Sequence, residues 1–481
     1  AIAAAGPLVG PVLAAQYGYL PSFLWLLIGC VIGGAVHDTV VLFASMKHQG
    51  KSLSEVAKAE LGPIAGWCTG LAMLFIITIT MAGLSMVVVH ALERNAWGVF
   101  AVFMTIPISM VVGIWHKLTG NLQAASWVGF IAVLACVFFG PYVQESAFGA
   151  WLTLRAETIS LALPIYAFFA TALPVWLLLT PRGYISSFMK IGVFGALVIG
   201  VICINPQIQF PALTQFIHGG GPVLGGPVWP FISITIACGA ISGFHAFIGS
   251  GTTPKLVDKW NDILPVAFGA MLAECVVGVM ALIAATALHP ADYFAINATP
   301  EAFAKLGMQV VDLPFLSQEI GMDLNGRTGG AVTLAVGMSY IFTKVPWFSN
   351  LASYFFQFVV MFEAVFILTA VDSGTRVSRY LIQDFFGEFY PPLKRIDWMP
   401  GAIGASVLAC VMWGYLLMSG DIGSVWALFG VSNQLMASVG LIIGATIILR
   451  LAQKRRYVLT CLIPLAYLFV TVNYAAYWMV S

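Results

Sequence analysis

Charge is what this sequence has least of. Asp, Glu, Lys and Arg make up 9% of the 481 residues while 60% are hydrophobic, against about a quarter charged in ordinary soluble domains. A soluble chain of this length could not hide so much apolar surface, so the composition excludes that class. The formal net charge of +1 gives no basic field for nucleic acid. The eight cysteines, Cys30, Cys68, Cys136, Cys203, Cys238, Cys275, Cys410 and Cys461, lie in or beside apolar runs without Cys-x-x-Cys spacing, which argues for packing residues over metal or disulfide roles. No charged start with a cleavage site opens the chain; it begins inside an apolar run, which reads as residues missing upstream. Phosphate-loop, zinc, triad and dinucleotide spacings are all lacking. The stretch 249–255 has Gly, Thr and Lys but not the phosphate-loop spacing. The sequence therefore gives no reason to expect an enzyme, a metal or a cofactor.

What is abundant is long apolar runs. A membrane helix needs about 20 such residues, and runs of that kind cover 1–17, 22–46, 64–90, 96–115, 124–142, 159–179, 188–205, 228–250, 263–288, 351–371, 400–419, 425–449 and 457–480. The expectation is an all-α polytopic membrane protein with about thirteen crossings. Lys and Arg mark cytoplasmic loops. Lys47, Lys51, Lys58, Lys117, Arg182, Lys190, Lys255 and Lys259 fall on one side, whereas 206–227 has no Lys or Arg. The segment 289–327 then lies outside and is long enough to carry structure of its own, such as a lid. A short run, 329–345, is expected to be interfacial or re-entrant, since a crossing there would put Arg376, Arg379, Lys394 and Arg395 outside. With that choice sixteen of the twenty-one basic residues are cytoplasmic. The alternative is that it spans and another run does not.

Gly6-Pro7-Leu8-Val9-Gly10-Pro11 sits in the first run. Each proline lacks an amide hydrogen and clashes one turn back, so this run should be a broken helix. In lipid the freed groups are tolerated only where protein or a water-filled cavity receives them, and such breaks point to transporter binding sites. A second one is expected at 168–174, ending in Pro174. Five crossings over 1–142 and five over 159–371 have opposite starting sides, as an inverted repeat requires. The region 398–481 would add three helices outside the repeat.

Ionisable groups deep in a membrane are functional candidates by default. Glu363, Glu274 and His245 lie within apolar runs. Carboxyls at that depth are natural proton carriers, and His245 could relay a proton or meet an anionic substrate; structural hydrogen bonding between helices is the competing role. His37 and Asp38 lie about two turns from a cytoplasmic helix end and suit a gate. Asp372 and Arg376 are spaced one turn apart, as for an ion pair within one helix, at a gate or simply at a helix end. Ser250 and Thr253, at the end of the 228–250 run, are candidates for a sodium site.

Several stretches together resemble the carbon starvation protein A family of bacterial inner-membrane transporters: 5–14, Pro181-Arg182-Gly183-Tyr184, 236–245, 250–255, Met361-Phe362-Glu363-Ala364, 372–377 and 428–435. They occur in family order over nearly the whole chain. The resemblance implies an uptake transporter induced when carbon is scarce, with peptides and pyruvate as the substrates assigned to members. It also implies a leucine-transporter-like core of five-plus-five inverted repeats, as in the amino acid, polyamine and organocation superfamily. The chain departs from the family in lacking its first helix, in Ala4 where Gly is usual, and in His37 where Gln is common before the Asp.

The reading is a secondary active symporter importing a small carboxylate or short peptide. Gly6, Pro7, Gly10, Pro11, Ala170, Thr171, Ser242 and His245 would bind substrate, with helix amino ends holding a carboxylate. Glu363, Glu274 and His245 would couple protons. The coupling ion is H+ or Na+, and an oligomer or small accessory subunit remains open. A channel and a non-transporting sensor or scaffold subunit are the rivals from other classes; few repeated charged or carbonyl rings occur to build a channel.

Overall fold

The computed structural model describes residues 6–251, 253–395, 398–420 and 422–480. The start of the first run, Ala4 and Thr252 lie outside the described residues. Among these the chain is helical, without a strand, as expected where every backbone group must be satisfied within lipid.

Along the chain come α1 (Gly6–Ala14), α2 (Tyr19–Lys47), α3 (Leu53–Leu61), α4 (Pro63–Leu92), α5 (Ala96–Thr119), α6 (Leu122–Glu145), α7 (Ala147–Leu152), α8 (Ala156–Ala172) and α9 (Leu179–Ile204). Next are α10 (Val228–Thr235), α11 (Ala237–Ala240), α12 (Phe244–Gly251) and α13 (Trp260–Thr286), then α14 (Pro290–Asn297), α15 (Pro300–Ala304), α16 (Leu313–Ile320) and α17 (Ala331–Thr343). Last come α18 (Ala352–Gly387), α19 (Met399–Ser419), α20 (Ile422–Leu451) and α21 (Leu459–Val480). Ten helices among the described residues are long and apolar enough to cross a membrane. The three other apolar runs, 1–17, 159–179 and 228–250, form shorter or interrupted helices.

Local signals set the boundaries. Asn95 accepts from the Gly98 amide at 2.8 Å to start α5, and its own amide donates to Gln357 at 2.9 Å on α18. Asn121 starts α6 the same way, each cap being worth about 1 kcal/mol. At the core α4 packs against α18, α20 and α19, and its most apolar stretch is almost wholly enclosed. The segment 289–327 carries α14, α15 and α16, as its length suggested. Asp292 organises it by accepting from the amides of Val311, Asp312 and Leu313. The short run 329–345 is α17, buried in protein from Ala331 to Ser339. Gly329 (φ 106°) and Gly330 (φ 83°) turn the chain into it beside His90 and α1, a conformation open to glycine at little cost.

The breaks are not where proline put them. Residues Gly6 to Ala14 form one continuous, entirely buried helix with Pro11 inside it. Pro7 sits in its first described turn. Gly6 and Gly10 serve another purpose: a Cβ on Gly6 would strike Cys238, and one on Gly10 would lie 2.5 Å from the Thr235 carbonyl oxygen. The glycines thus let α1 cross closely over the α10–α11 junction, small-residue packing of the kind membrane helices favour. Likewise α8 is unbroken to Ala172, and Pro174 lies in the turn leading to α9. The interrupted helix is 228–251. Its helix stops at Ile236 (φ −92°, ψ 30°) and again at Ile241 (φ −144°, ψ 108°), and restarts at Phe244.

Helix α20 receives what that interruption frees. The Phe244 amide donates to Asn433 Oδ1 at 2.7 Å, and Gln434 Nε2 donates to the Ser233 carbonyl at 2.7 Å. A Cβ on Gly430 would strike the Ile234 carbonyl, and one on Gly243 the Asn433 carbonyl.

Candidate functional site

The restart at Phe244 places His245 at the start of α12, facing α2 and α13. His245 Nδ1 lies 2.8 Å from Asp38 Oδ2, and His245 Nε2 lies 3.1 Å from Glu274 Oε2. Asp38 Oδ1 is 2.8 Å from His37 Nδ1. Four titratable groups therefore form one continuous line, His37, Asp38, His245, Glu274, and none is more than 5% exposed. At both ends polar atoms are left over: His37 Nε2 and Glu274 Oε1 have no hydrogen-bond partner among the described residues.

Two of the helices that carry this line contain a widened, π-helical turn, Gly29–Gly34 before Asp38 and Leu264–Gly269 before Glu274. Such turns recur at functional sites because they rotate the following side chains out of the regular helical register. Helices α2 and α13 also meet reciprocally: Cys30 Sγ donates to the Met271 carbonyl at 3.3 Å and Cys275 Sγ to the Leu26 carbonyl at 3.4 Å. Each thiol thus reaches the carbonyl one turn before the other.

Chemically the line has one more carboxyl than bridging imidazole. Burying charges without partners costs several kcal/mol per ion, so the site favours states in which protons and charges balance. An imidazole between two carboxyls can take a proton from one side and release it to the other. The arrangement can hold and pass a proton.

A second buried cluster ties α8, α9 and α18. Arg182 Nη1 is 3.1 Å from Asp372 Oδ2, Tyr166 donates to the same oxygen at 2.8 Å, and Arg182 also donates to the Tyr166 hydroxyl. The ion pair expected between Asp372 and Arg376 is not made. Asp372 turns to Arg182, while Arg376 Nη2 donates to the Ala170 and Leu173 carbonyls at 2.8 and 3.0 Å. Arg379 donates to the Thr171 carbonyl at 3.2 Å. The arginines thus cap the carboxyl end of α8, a favourable place for cations, and occupy backbone carbonyls that were expected to meet substrate. Arg182 and Lys190, taken from the sequence as loop charges, both lie within α9.

The remaining candidates are spread out. Glu363 is fully buried on α18 and makes no ion pair with the four-group line, and neither carboxyl oxygen has a hydrogen-bond partner among the described residues. Ser242 lies beside Cys238 and Asn433, its hydroxyl 3.5 Å from each. The Ser250 hydroxyl is spent on the Ala246 carbonyl at 2.5 Å, while the Ser250 carbonyl accepts from Ser45 at 3.1 Å. Gly6, Pro7 and Gly10 pack against the α10–α11 junction, and Pro11 lies beside Gly278 of α13. Sequence reasoning did not pick out Tyr166, Asn433 or Gln434 as site residues. Asn433 and Gln434, adjacent polar groups in an apolar run, were the available signal.

On the face where Lys47 and Lys51 collect, Glu60 of α3 is 4% exposed and accepts from Lys47, His48 and Arg450 at 2.7, 2.8 and 2.7 Å. Burial alone would raise its carboxyl's pKa, but the hydrogen bonds from Lys47 and His48 prevail and hold it below the ordinary value. The knot joins the end of α2 to α3 and α20.

Comparison with known proteins adds the following. The family model described as carbon starvation protein CstA matches residues 1–475. Peptide transporter CstA of Bacillus subtilis (strain 168) is 77% identical over 480 residues, covering 100% of this chain and 80% of that one. Pyruvate/proton symporter BtsT of Escherichia coli (strain K12) is 40% identical over 525 residues, covering 99% and 72%. Among solved structures, a mutant manganese transporter of Eremococcus coleocola aligns over 98% of this chain and 85% of that one at 12% identity and a TM-score of 0.43, a likeness too slight to assign a fold.

Proposed function

Because the chain belongs to the carbon starvation protein CstA family, a family of multi-pass membrane transporters, we propose that it imports a small carboxylate such as pyruvate by proton symport when carbon is scarce. The observation that carries this reading is the buried line His37, Asp38, His245 and Glu274 at an interrupted helix. A proton taken up there changes the charge balance between α12 on one hand and α2 and α13 on the other. That change gives the inward- and outward-facing arrangements different stabilities, which is what coupling requires. Glu363, buried on α18, is a second proton carrier.

Alternating access rocks one group of helices against the rest. The reciprocal Cys30 and Cys275 contacts support an inverted relation between α2 and α13, which starts the second unit at the interrupted 228–251 stretch in place of residue 159. Arg182, Asp372 and Tyr166 form a latch between α8, α9 and α18 whose opening accompanies the movement; Arg376 supports it by holding the end of α8. Proton coupling is favoured over sodium because titratable groups are joined in one buried line at the interrupted helix.

Short peptides are the second cargo, favoured by the name of the 77% identical relative. The test is uptake of labelled pyruvate and of a labelled dipeptide into proteoliposomes under a proton gradient and, separately, a sodium gradient. Pyruvate accumulation under the proton gradient is expected. Accumulation of neither solute under either gradient would remove the reading and point to a sensor or scaffold role.

A further inference from the structure

A cavity of about 300 Å3 opens between α9, α12 and α18, at the small end of the range for ligand sites. Ser187 and Lys190 face it from α9, Phe244 from α12, and Phe366 and Thr369 from α18. Lys190 sits in the interior of an apolar helix with its ammonium 4.0 Å from the centre of the Phe366 ring. No carboxylate pairs with it among the described residues. A lysine kept inside a membrane helix without an anionic partner is costly unless an anion is supplied from elsewhere.

We infer that this cavity is the binding site for the transported anion, with Lys190 receiving the carboxylate and the rings of Phe244 and Phe366 covering the apolar remainder of the molecule. The inference rests on the transport reading above and names the substrate class. The cavity wall has one cation and no Asp or Glu, so nothing in it would receive the ammonium of a zwitterion. It therefore selects monocarboxylates over amino acids and peptides, by leaving the amine desolvated and unpaired.

Its position also explains coupling. Phe244 lines the cavity and directly precedes His245, which is 3.1 Å from Glu274. A proton taken up by that pair removes negative charge next to an anion site, so proton and anion each favour the other's binding, as linkage demands.

Binding calorimetry of the intact detergent-solubilised protein with pyruvate reads this site without needing transport. Wild type is expected to bind pyruvate, and alanyl-alanine roughly ten-fold more weakly or not at all. Lys190→Gln is expected to weaken pyruvate binding roughly ten-fold or more, with Lys190→Arg retaining most of it. Ser187→Trp, which fills the cavity but spares the lysine, is expected to abolish binding and serves if Lys190→Gln does not fold. Unchanged pyruvate affinity in a folded Lys190→Gln or Ser187→Trp protein, or no binding by wild type, overturns the site. If pyruvate is bound as described but never accumulates under a gradient, the transport reading fails while the site stands.

Discussion

Asp38 and His245 stand 207 residues apart along the chain and 2.8 Å apart between Oδ2 and Nδ1. The contact joins α2 to α12 immediately beyond the interruption, so a movement of α12 relative to α2 must stretch or break it. Whether that is cheap depends on where the shared protons sit. Broken in its charged form the pair leaves two buried ions, at a cost of about 3–5 kcal/mol; with a proton redistributed to Asp38 the cost falls. Proton occupancy and helix position are thereby tied to each other.

Asp38→Asn keeps the size of the side chain and removes its charge. Proton-driven accumulation is expected to fall by roughly ten-fold or more, equivalent to about 1.4 kcal/mol, while solute exchange without a gradient persists. Uptake and exchange assays on the same proteoliposomes separate the two. Equal loss of both would assign Asp38 to the fold instead.

Glu363 has no partner for either oxygen among the described residues, so Glu363→Gln removes a proton carrier without stranding a counter-ion. Expression and thermal midpoint are expected to stay near wild type while proton-coupled accumulation is lost. Unchanged accumulation would take Glu363 out of the mechanism.

The Arg182 and Asp372 pair is almost entirely buried. Arg182→Met or Asp372→Leu alone is expected to cost about 3–5 kcal/mol and lower the thermal midpoint. The double replacement is expected to recover much of it, because no unpaired charge is left behind. A double-mutant cycle on thermal unfolding measures this, and additive losses would mean that the two groups act independently.

Glu60 sets a pH dependence with a definite sign. Its carboxyl is held below the ordinary value in the folded protein, so its contribution to stability is present above the unfolded carboxylate range and fades as pH falls through the lowered folded value. Thermal midpoints measured downward from pH 7 are expected to fall less steeply for Glu60→Gln than for wild type, from a lower starting point. Parallel curves would show that the knot around Glu60 adds nothing.

Gly243→Ala places a Cβ against the Asn433 carbonyl. Backbone cannot yield as a flexible side chain does, so a loss of about 1–3 kcal/mol is expected, read as reduced folded yield in size-exclusion chromatography. Wild-type yield would show that α20 shifts freely at this crossing.

The helical class and most of the crossings were legible because a run of about 20 apolar residues is a local property. So were Glu274, His245 and Glu363 as individuals, since an ionisable group in an apolar run stands out. Their grouping was not. Nothing near His245 in the sequence indicates that Asp38 and Glu274 will meet it, or that Asp372 will choose Arg182 on another helix over Arg376 on its own. The breaks were misplaced for a related reason. Proline's local cost at Pro11 is visible in the sequence, whereas the benefit of Gly10 against the backbone of Thr235 and Ile236 exists only in the packed structure. The real interruption, from Ile236 to Gly243, has no proline and is held by Asn433 and Gln434 from nearly two hundred residues away.

The most direct measurement is proton entry recorded by an internal pH dye when pyruvate is added outside proteoliposomes, with no gradient imposed and protein-free vesicles as the reference. Wild type is expected to acidify the lumen as labelled pyruvate enters, and Glu274→Gln to exchange pyruvate without acidification. Acidification by Glu274→Gln at the wild-type ratio of protons to pyruvate would contradict proton coupling through the Asp38, His245 and Glu274 line.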